Sequence, residues 1–373
     1  MDLQILWFWI VGFLFIGYFV LDGFDFGVGI ALPFVGKDDT DRRILINTIG
    51  PIWDLNETWV IVAGACLFAS FPEWYGTIFA GAYLALFVIL VALIVRGVSF
   101  EYRHQGKGRQ WTKWFDWMIF FGSAIPALLW GVAFANIARG FPMEAHSVDG
   151  IATTGALTFE YNYAGTFFDL LNPYALLGGL TTLALFFYHG LVFITRKTDG
   201  ELRERAQKLS VYVGIAVAVL ALAFLGWTVA AYFSVPTLVF SIVAVVAFLA
   251  SLFFSFKGSD GPAFTFGAIT VATAVAALYS TLFFSHGEHM LIKNLIEGGK
   301  DLTIYSGSAS ENTLGIMTWA FIAIMPFVLA YQAWSFWTFR KRLRRVDFEQ
   351  ADAADEVEHD GALVGASGGA HVA

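Results

Sequence analysis

The chain has 373 residues, 58% of them hydrophobic and 14% charged, with a mean hydropathy of +0.67. That composition lies outside the soluble globular range and inside that of polytopic membrane proteins. The formal charge of −8 does not support nucleic-acid binding, because seven acidic residues and no Lys or Arg follow Arg345, so the tail carries −7 of it.

Apolar runs of bilayer length predict nine helices, beginning near Leu3, Trp53, Gly76, Trp117, Pro173, Val211, Val235, Phe264 and Leu314. The first run follows Met1 and Asp2 without a basic segment and continues through Leu21 with no small-residue cleavage pattern, so no cleaved signal peptide is expected. Leu3 to Leu21 already suffices to cross, and a helix continuing to Val35 must tilt or project beyond the bilayer. Within this run LDGFDFGVG places Asp22 and Asp25 three residues apart, on one helix face. Asp22 falls roughly 28 Å along the axis from Leu3.

The second span carries the strongest signal. Its uncharged apolar stretch, 58–71, has 14 residues. At about 1.5 Å per residue that covers roughly 21 Å, against a hydrocarbon core of about 30 Å. Residues of IWDLNETW must therefore be recruited, which draws Asp54, Asn56 and Glu57 into the membrane or to its edge. Asp22, Asp25, Asp54 and Glu57 then lie at similar depth on two sequential helices. Ionisable groups in such positions are costly and point to a pathway or relay, since desolvated carboxylates can exchange protons near neutral pH. A plainer reading is also open: Asp22 and Asp25 serve packing beside Gly23, Gly27 and Gly29, Asp54 caps a helix behind Pro51, and Arg42 or Arg43 pairs with one of the acids. Trp53 and Asn56 are expected to orient the segment, with Trp53 equally suited to be an interfacial anchor.

Charge in the connections sets the orientation. With the amino terminus outside, the inner connections carry 19 Lys and Arg, counting Arg96 among them, and the outer ones carry 3. This predicts amino terminus out and carboxyl terminus in. Two outer loops, 139–172 and 285–313, are long. The fold class expected is all-α, with eight of the nine spans able to form two four-helix bundles and one further helix remaining. Residues 1–345 are expected to form the transmembrane domain of nine helices and 346–373 an acidic, solvated and disordered cytoplasmic tail.

Histidines give no haem or metal site. Only His189 falls in a span; His104 and His146 sit in loops, His359 and His371 in the tail, and the His286-x-x-His289 pair has only Glu288 nearby. The single cysteine, Cys66, lies in an apolar run and reads as a packing residue. No GxSxG, Walker A or HExxH pattern is present.

The motifs LDGFDFGVG from Leu21, DDTDRRILINTIGPIWD from Asp38, RGVSFEYR from Arg96, GVAFANIARGFP from Gly131, AGTFFDLLNPYALLGG from Ala164 and NTLGIMTWAFIAIMPFVLAYQAWSFW from Asn312 together resemble subunit II of the cytochrome bd-type quinol oxidases. The resemblance implies pairing with a haem-bearing subunit I that holds haems b558, b595 and d, often with a small single-helix subunit. It implies a bacterial cytoplasmic membrane and a complex that oxidises quinol, reduces O2 to water and generates proton-motive force, with this chain not catalytic alone. A bound quinone in this subunit is left open. It also associates the Asp of the WD-x-N motif, here Asp54, with a cytoplasmic proton path, and an acidic position of DGFD, here Asp25; Glu57 and Asp22 would support them. The residue after the motif aspartate, often Gly, is Leu55 here, and the tail is longer than usual. Two other readings compete: a proton-coupled secondary transporter, disfavoured because the charges gather at one side rather than midplane, and a partner that only shields the haem subunit from lipid.

Overall fold

The computed structural model describes residues 2–106, 108–147, 159–285 and 289–350, with the side chains of 147, 159 and 160 left aside. The tail from residue 351, with His359 and His371, lies outside the described residues, as does His286 of the paired histidines.

Helix α1 (Leu3–Val35) is one continuous helix, capped by the Asp2 carboxylate, which accepts from the Gln4 and Ile5 backbone N–H groups. Its 33 residues amount to roughly 50 Å without a break, longer than a bilayer's hydrocarbon core of about 30 Å. A short amphipathic helix α2 (Asp39–Ile49) follows, capped by Asp38. Gly50 to Ile52 then bend the chain by 45° into α3 (Trp53–Ser70). Helix α3 does begin at Trp53, and it includes the acidic residues Asp54 and Glu57. The span expected from Gly76 is instead two helices, α4 (Pro72–Gly81) and α5 (Tyr83–Tyr102). Helix α6 (Arg109–Arg139) starts well before Trp117, and after α7 (Pro173–Lys197), α8 (Gly200–Ala231) starts well before Val211, because charged turns extend both helices beyond their apolar runs. α9 (Val235–Phe256), α10 (Asp260–Phe284) and α11 (Glu311–Thr338) complete the set. Among the described residues, eight helices are each long and apolar enough to span a bilayer, and the bent α2–α3 pair is a ninth candidate.

Packing explains the order. α7, α8, α9 and α10 each lie against the next, and α10 returns to α7, closing a four-membered ring. α1 packs on α3, α6, α7, α10 and α11, so it forms the hinge between that ring and the α3–α6 group. Glycines permit the closest approaches: a Cβ on Gly29 would collide with Ser123 of α6, and one on Gly23 would stand 2.8 Å from the Phe186 ring of α7. The two long loops are not featureless. One contains an antiparallel hairpin, β1 (Met143–Ser147) with β2 (Phe159–Tyr163), and the other a short pair, β3 (Met290–Ile292) with β4 (Leu302–Thr303).

Most of the lysines and arginines gather at the opposite end of the bundle from these loops, where ion pairs tie the elements together. Arg42 and Arg103 share Asp116, Arg203 and Arg342 share Asp260, and Arg345 reaches Asp38 and Asp41. Beyond α11, Leu343 bridges to Thr198, and residues 345–350 are helical with Phe348 half-buried, so the start of the acidic segment lies on the protein.

Candidate functional site

Four helices bring their polar side chains to one buried cluster. Asp22 and Asp25 of α1 are both fully buried, as their spacing on one face predicts they could be together. Asp22 Oδ1 accepts from Arg96 Nη2 of α5 at 2.8 Å, and the same nitrogen lies 3.2 Å from Glu57 Oε2 of α3. Arg96 is fully buried, with its guanidinium 4.3 Å above the Phe26 ring. The Asn56 side-chain amide donates to Asp25 Oδ2 at 2.8 Å, while Asn56 Oδ1 accepts from Gln332 Nε2 of α11 at 2.8 Å. Trp59 Nε1 in turn donates to Gln332 Oε1 at 3.2 Å.

Two expectations are corrected here. Arg96 is not a residue of an inner connection; it lies inside α5, fully buried, and belongs with the buried acids. Nor do Arg42 and Arg43 pair with the α1 acids. Arg42 binds Asp116, and Arg43 lies over the Phe348 ring, because α2 packs on α1 through its apolar stripe of Ile44, Leu45 and Ile49, which leaves its arginines to other partners. Arg96 and Gln332 were missed by the sequence reading. Each is a strongly polar residue inside an apolar run, which was the available signal.

Asp54 sits differently. It is exposed on this chain, and its side chain makes no hydrogen bond or ion pair among the described residues. It lies one helical turn before Glu57 and two residues before Asn56 on α3. Trp53 packs on Phe100 of α5 with ring centroids 5.3 Å apart. Asn56 orients Asp25 directly.

Several buried polar atoms of the cluster find no protein partner: Asp22 Oδ2, Asp25 Oδ1, and Nε and Nη1 of Arg96. Buried charged groups are normally satisfied by protein or ordered water, so these atoms mark a place suited to hydration rather than to dry packing. Chemically, the Asp22 and Glu57 carboxylates share one guanidinium, and Asp25 stands near them, held by Asn56, so the buried negative charge is partly compensated.

His189, the intramembrane histidine, is fully buried and lies face to face with Phe264, at 4.9 Å and 8° between planes, with Phe24 edge-on. Its surroundings are aromatic rings packed on the imidazole, which do not fit a haem. His289 lies on Phe283, with ring centroids 4.0 Å apart. Among the described residues no group of three His, Cys, Asp or Glu is arranged to hold a metal ion.

Comparison with known proteins places these features in context. Residues 3–339 match the family model described as cytochrome bd terminal oxidase subunit II. The chain is 38% identical over 347 residues to cytochrome bd ubiquinol oxidase subunit 2 of Bacillus subtilis (strain 168), covering 92% of this chain and 97% of that one. It is 30% identical over 382 residues to cytochrome bd-I ubiquinol oxidase subunit 2 of Escherichia coli (strain K12), covering 93% and 97%. The fold is similar to a chain in the structure of bd oxidase from Geobacillus thermodenitrificans, with a TM-score of 0.66, 16% identity, and coverage of 91% of this chain and 99% of that one.

Proposed function

The chain belongs to the cytochrome bd terminal oxidase subunit II family, a subunit of a respiratory enzyme complex of the membrane, and from that premise we propose that it supplies the complex with a proton-entry route built from Asp54, Glu57, Asp22 and Asp25. In this reading the amino terminus is outside and the carboxyl terminus inside, nine spans cross the bacterial cytoplasmic membrane, and the haem-bearing subunit I packs alongside, with or without a small single-helix subunit. Haems b558, b595 and d, held by that partner, carry electrons from quinol to O2.

Reduction of one O2 to two waters takes four electrons from two quinols and consumes four protons. A site enclosed by lipid and protein needs a polar route to obtain those protons. Asp54, exposed at the mouth of α3, is placed to receive them from the inner face. Glu57 lies one turn deeper on the same helix and meets Arg96, whose guanidinium keeps the Asp22 and Glu57 carboxylates from standing unpaired. Asn56, clamped by Gln332, holds Asp25 in a fixed orientation one turn along α1. The observation that carries this proposal is the cluster itself: two acids, Asp22 and Glu57, on one buried arginine and a third, Asp25, held nearby by Asn56, with unpartnered polar atoms among them.

Quinol-driven O2 uptake in assembled complexes tests it. Asp54→Asn and Asp25→Asn should each lower turnover by on the order of tenfold or more, with haem spectra unchanged. Normal turnover and normal proton release in both variants would leave the cluster a packing device only.

A further inference from the structure

Beside the network at the lysine- and arginine-rich end, an open cleft of about 970 Å³ separates the projecting end of α1 from the start of α6. Its walls carry both signs of charge, but the acids are already engaged. Asp116 is bound by Arg42 and Arg103, Asp39 by Arg103, and Asp38 by Arg345. Burial works to raise the Asp38 carboxyl, yet the Asp41 backbone N–H and the Arg345 guanidinium outweigh it and hold Asp38 below its ordinary range, so it stays ionised and paired. Lys37, Arg109 and Lys113 line the same cleft, and none of the three makes an ion pair among the described residues. Three of the four cations lining the cleft are therefore without an ion pair among the described residues. The start of α6 adds to that charge: Gly108 offers no side-chain cap, and the first turn contains no acidic residue.

Below the cations the surface is aromatic. Trp111, Trp114 and Trp117 recur every third residue along α6, all exposed, in the manner of an interfacial belt. Phe34 at the end of α1 and Phe121 on α6 are exposed too; Phe34 and Trp117 both line the cleft, and Trp117 stacks on Phe121. A water-facing cleft with unpaired cations, continued by an apolar strip at membrane depth, has the two-part chemistry of one kind of molecule.

The geometry points to a binding site for an anionic phospholipid of the adjacent leaflet, its phosphate held by Lys37, Arg109 and Lys113 and an acyl chain laid along Phe34, Trp117 and Phe121. The cations select charge, and the aromatic strip requires a tail. A free anion satisfies only the first, and a zwitterionic lipid, whose own cation is repelled, only the second. Each basic residue near such a surface contributes roughly fivefold to affinity.

The test uses the assembled oxidase in phosphatidylcholine vesicles doped with either a phosphatidylglycerol or a phosphatidylcholine analogue carrying a photoreactive group on the acyl chain, with labelled peptides read by mass spectrometry. The phosphatidylglycerol probe should label peptides containing Phe34 or Trp117 at least about tenfold over the phosphatidylcholine probe. The K37Q/R109Q/K113Q variant should abolish that preference, and excess inorganic phosphate should leave it standing. If the triple variant does not assemble, K113Q alone should reduce the preference several-fold. Equal labelling by both probes, a preference that survives the substitutions, displacement by phosphate alone, or absence of labelling because a partner subunit covers this face would each overturn the assignment.

Discussion

Arg96→Gln should destabilise the assembled complex by about 3–5 kcal/mol, enough to remove much of the margin of a domain whose whole stability is of order 5–15 kcal/mol. The reason is asymmetry. The Arg96–Asp22 contact is fully buried on both sides, so deleting the guanidinium leaves the Asp22 carboxylate without a counter-ion in a low-dielectric interior, and Glu57 loses the same partner. Deleting both partners is different, because replacing a whole buried pair by neutral groups is often close to neutral. Arg96→Gln combined with Asp22→Asn should therefore recover most of the loss. A double-mutant cycle on the thermal midpoint of the purified complex, followed by haem absorbance, measures the coupling. If the single variant matches the native complex, or the second substitution adds its own cost in full, the cluster is not held by this ion pair. The compensated variant also separates roles. Should it assemble normally yet turn over slowly, stability and proton transfer have been uncoupled at one site.

Which parts of this site could be read from the chain follows from what each residue does to a pattern. Asp22 and Asp25 interrupt an apolar run at helical spacing, so both their depth and their shared face are visible in LDGFDFGVG. Asn56 and Glu57 are legible for a different reason, because the apolar stretch behind them is too short to cross without them. Arg96 escapes because it stands near the end of its run, where a cation is normally an anchor at the water boundary; only the folded neighbourhood shows that Asp22 and Glu57 reach it from other helices. Gln332 comes from the far end of the chain, and its contact with Asn56 spans 276 residues, a separation that no local period encodes. α2 is hidden by its own charge. DDTDRRILIN reads as a connection, although Asp38 caps it and Ile44, Leu45 and Ile49 bury one stripe. Helices α6 and α8 begin in charged turns, 109–116 and 200–208, which lie outside the apolar runs that mark a span. The strands in the long loops have only short, irregular pairings and leave no alternating pattern long enough to recognise.

Gly27→Ala should cost about 3 kcal/mol or more, at or above the upper end of ordinary overpacking, although the same exchange in an unconstrained helix stabilises by roughly 1 kcal/mol. What decides the sign is the neighbour. A Cβ on Gly27 would collide with the Phe186 carbonyl oxygen and stand 2.7 Å from Gly190 Cα, and a Cβ on Gly190 would meet Gly27 backbone in return. All of these are backbone atoms, so no rotamer change relieves the overlap and α1 must move away from α7. That displacement acts on the functional cluster as well, because Asp25 lies two residues before Gly27 on the same rigid helix, and its hydrogen bond to Asn56 depends on where α1 sits. Gly190→Ala should reproduce the effect from the other side. Gly226→Ala on α8, where an added Cβ meets nothing within 4 Å, supplies the contrast and should be neutral or slightly stabilising. Thermal midpoints of the three variant complexes, with quinol oxidation measured below the transition, distinguish close helix contact from propensity. Equal behaviour of Gly27→Ala and Gly226→Ala would mean that α1 and α7 are not in contact as described, and with that the placement of Asp22 and Asp25 opposite α3 and α5 would lose its support.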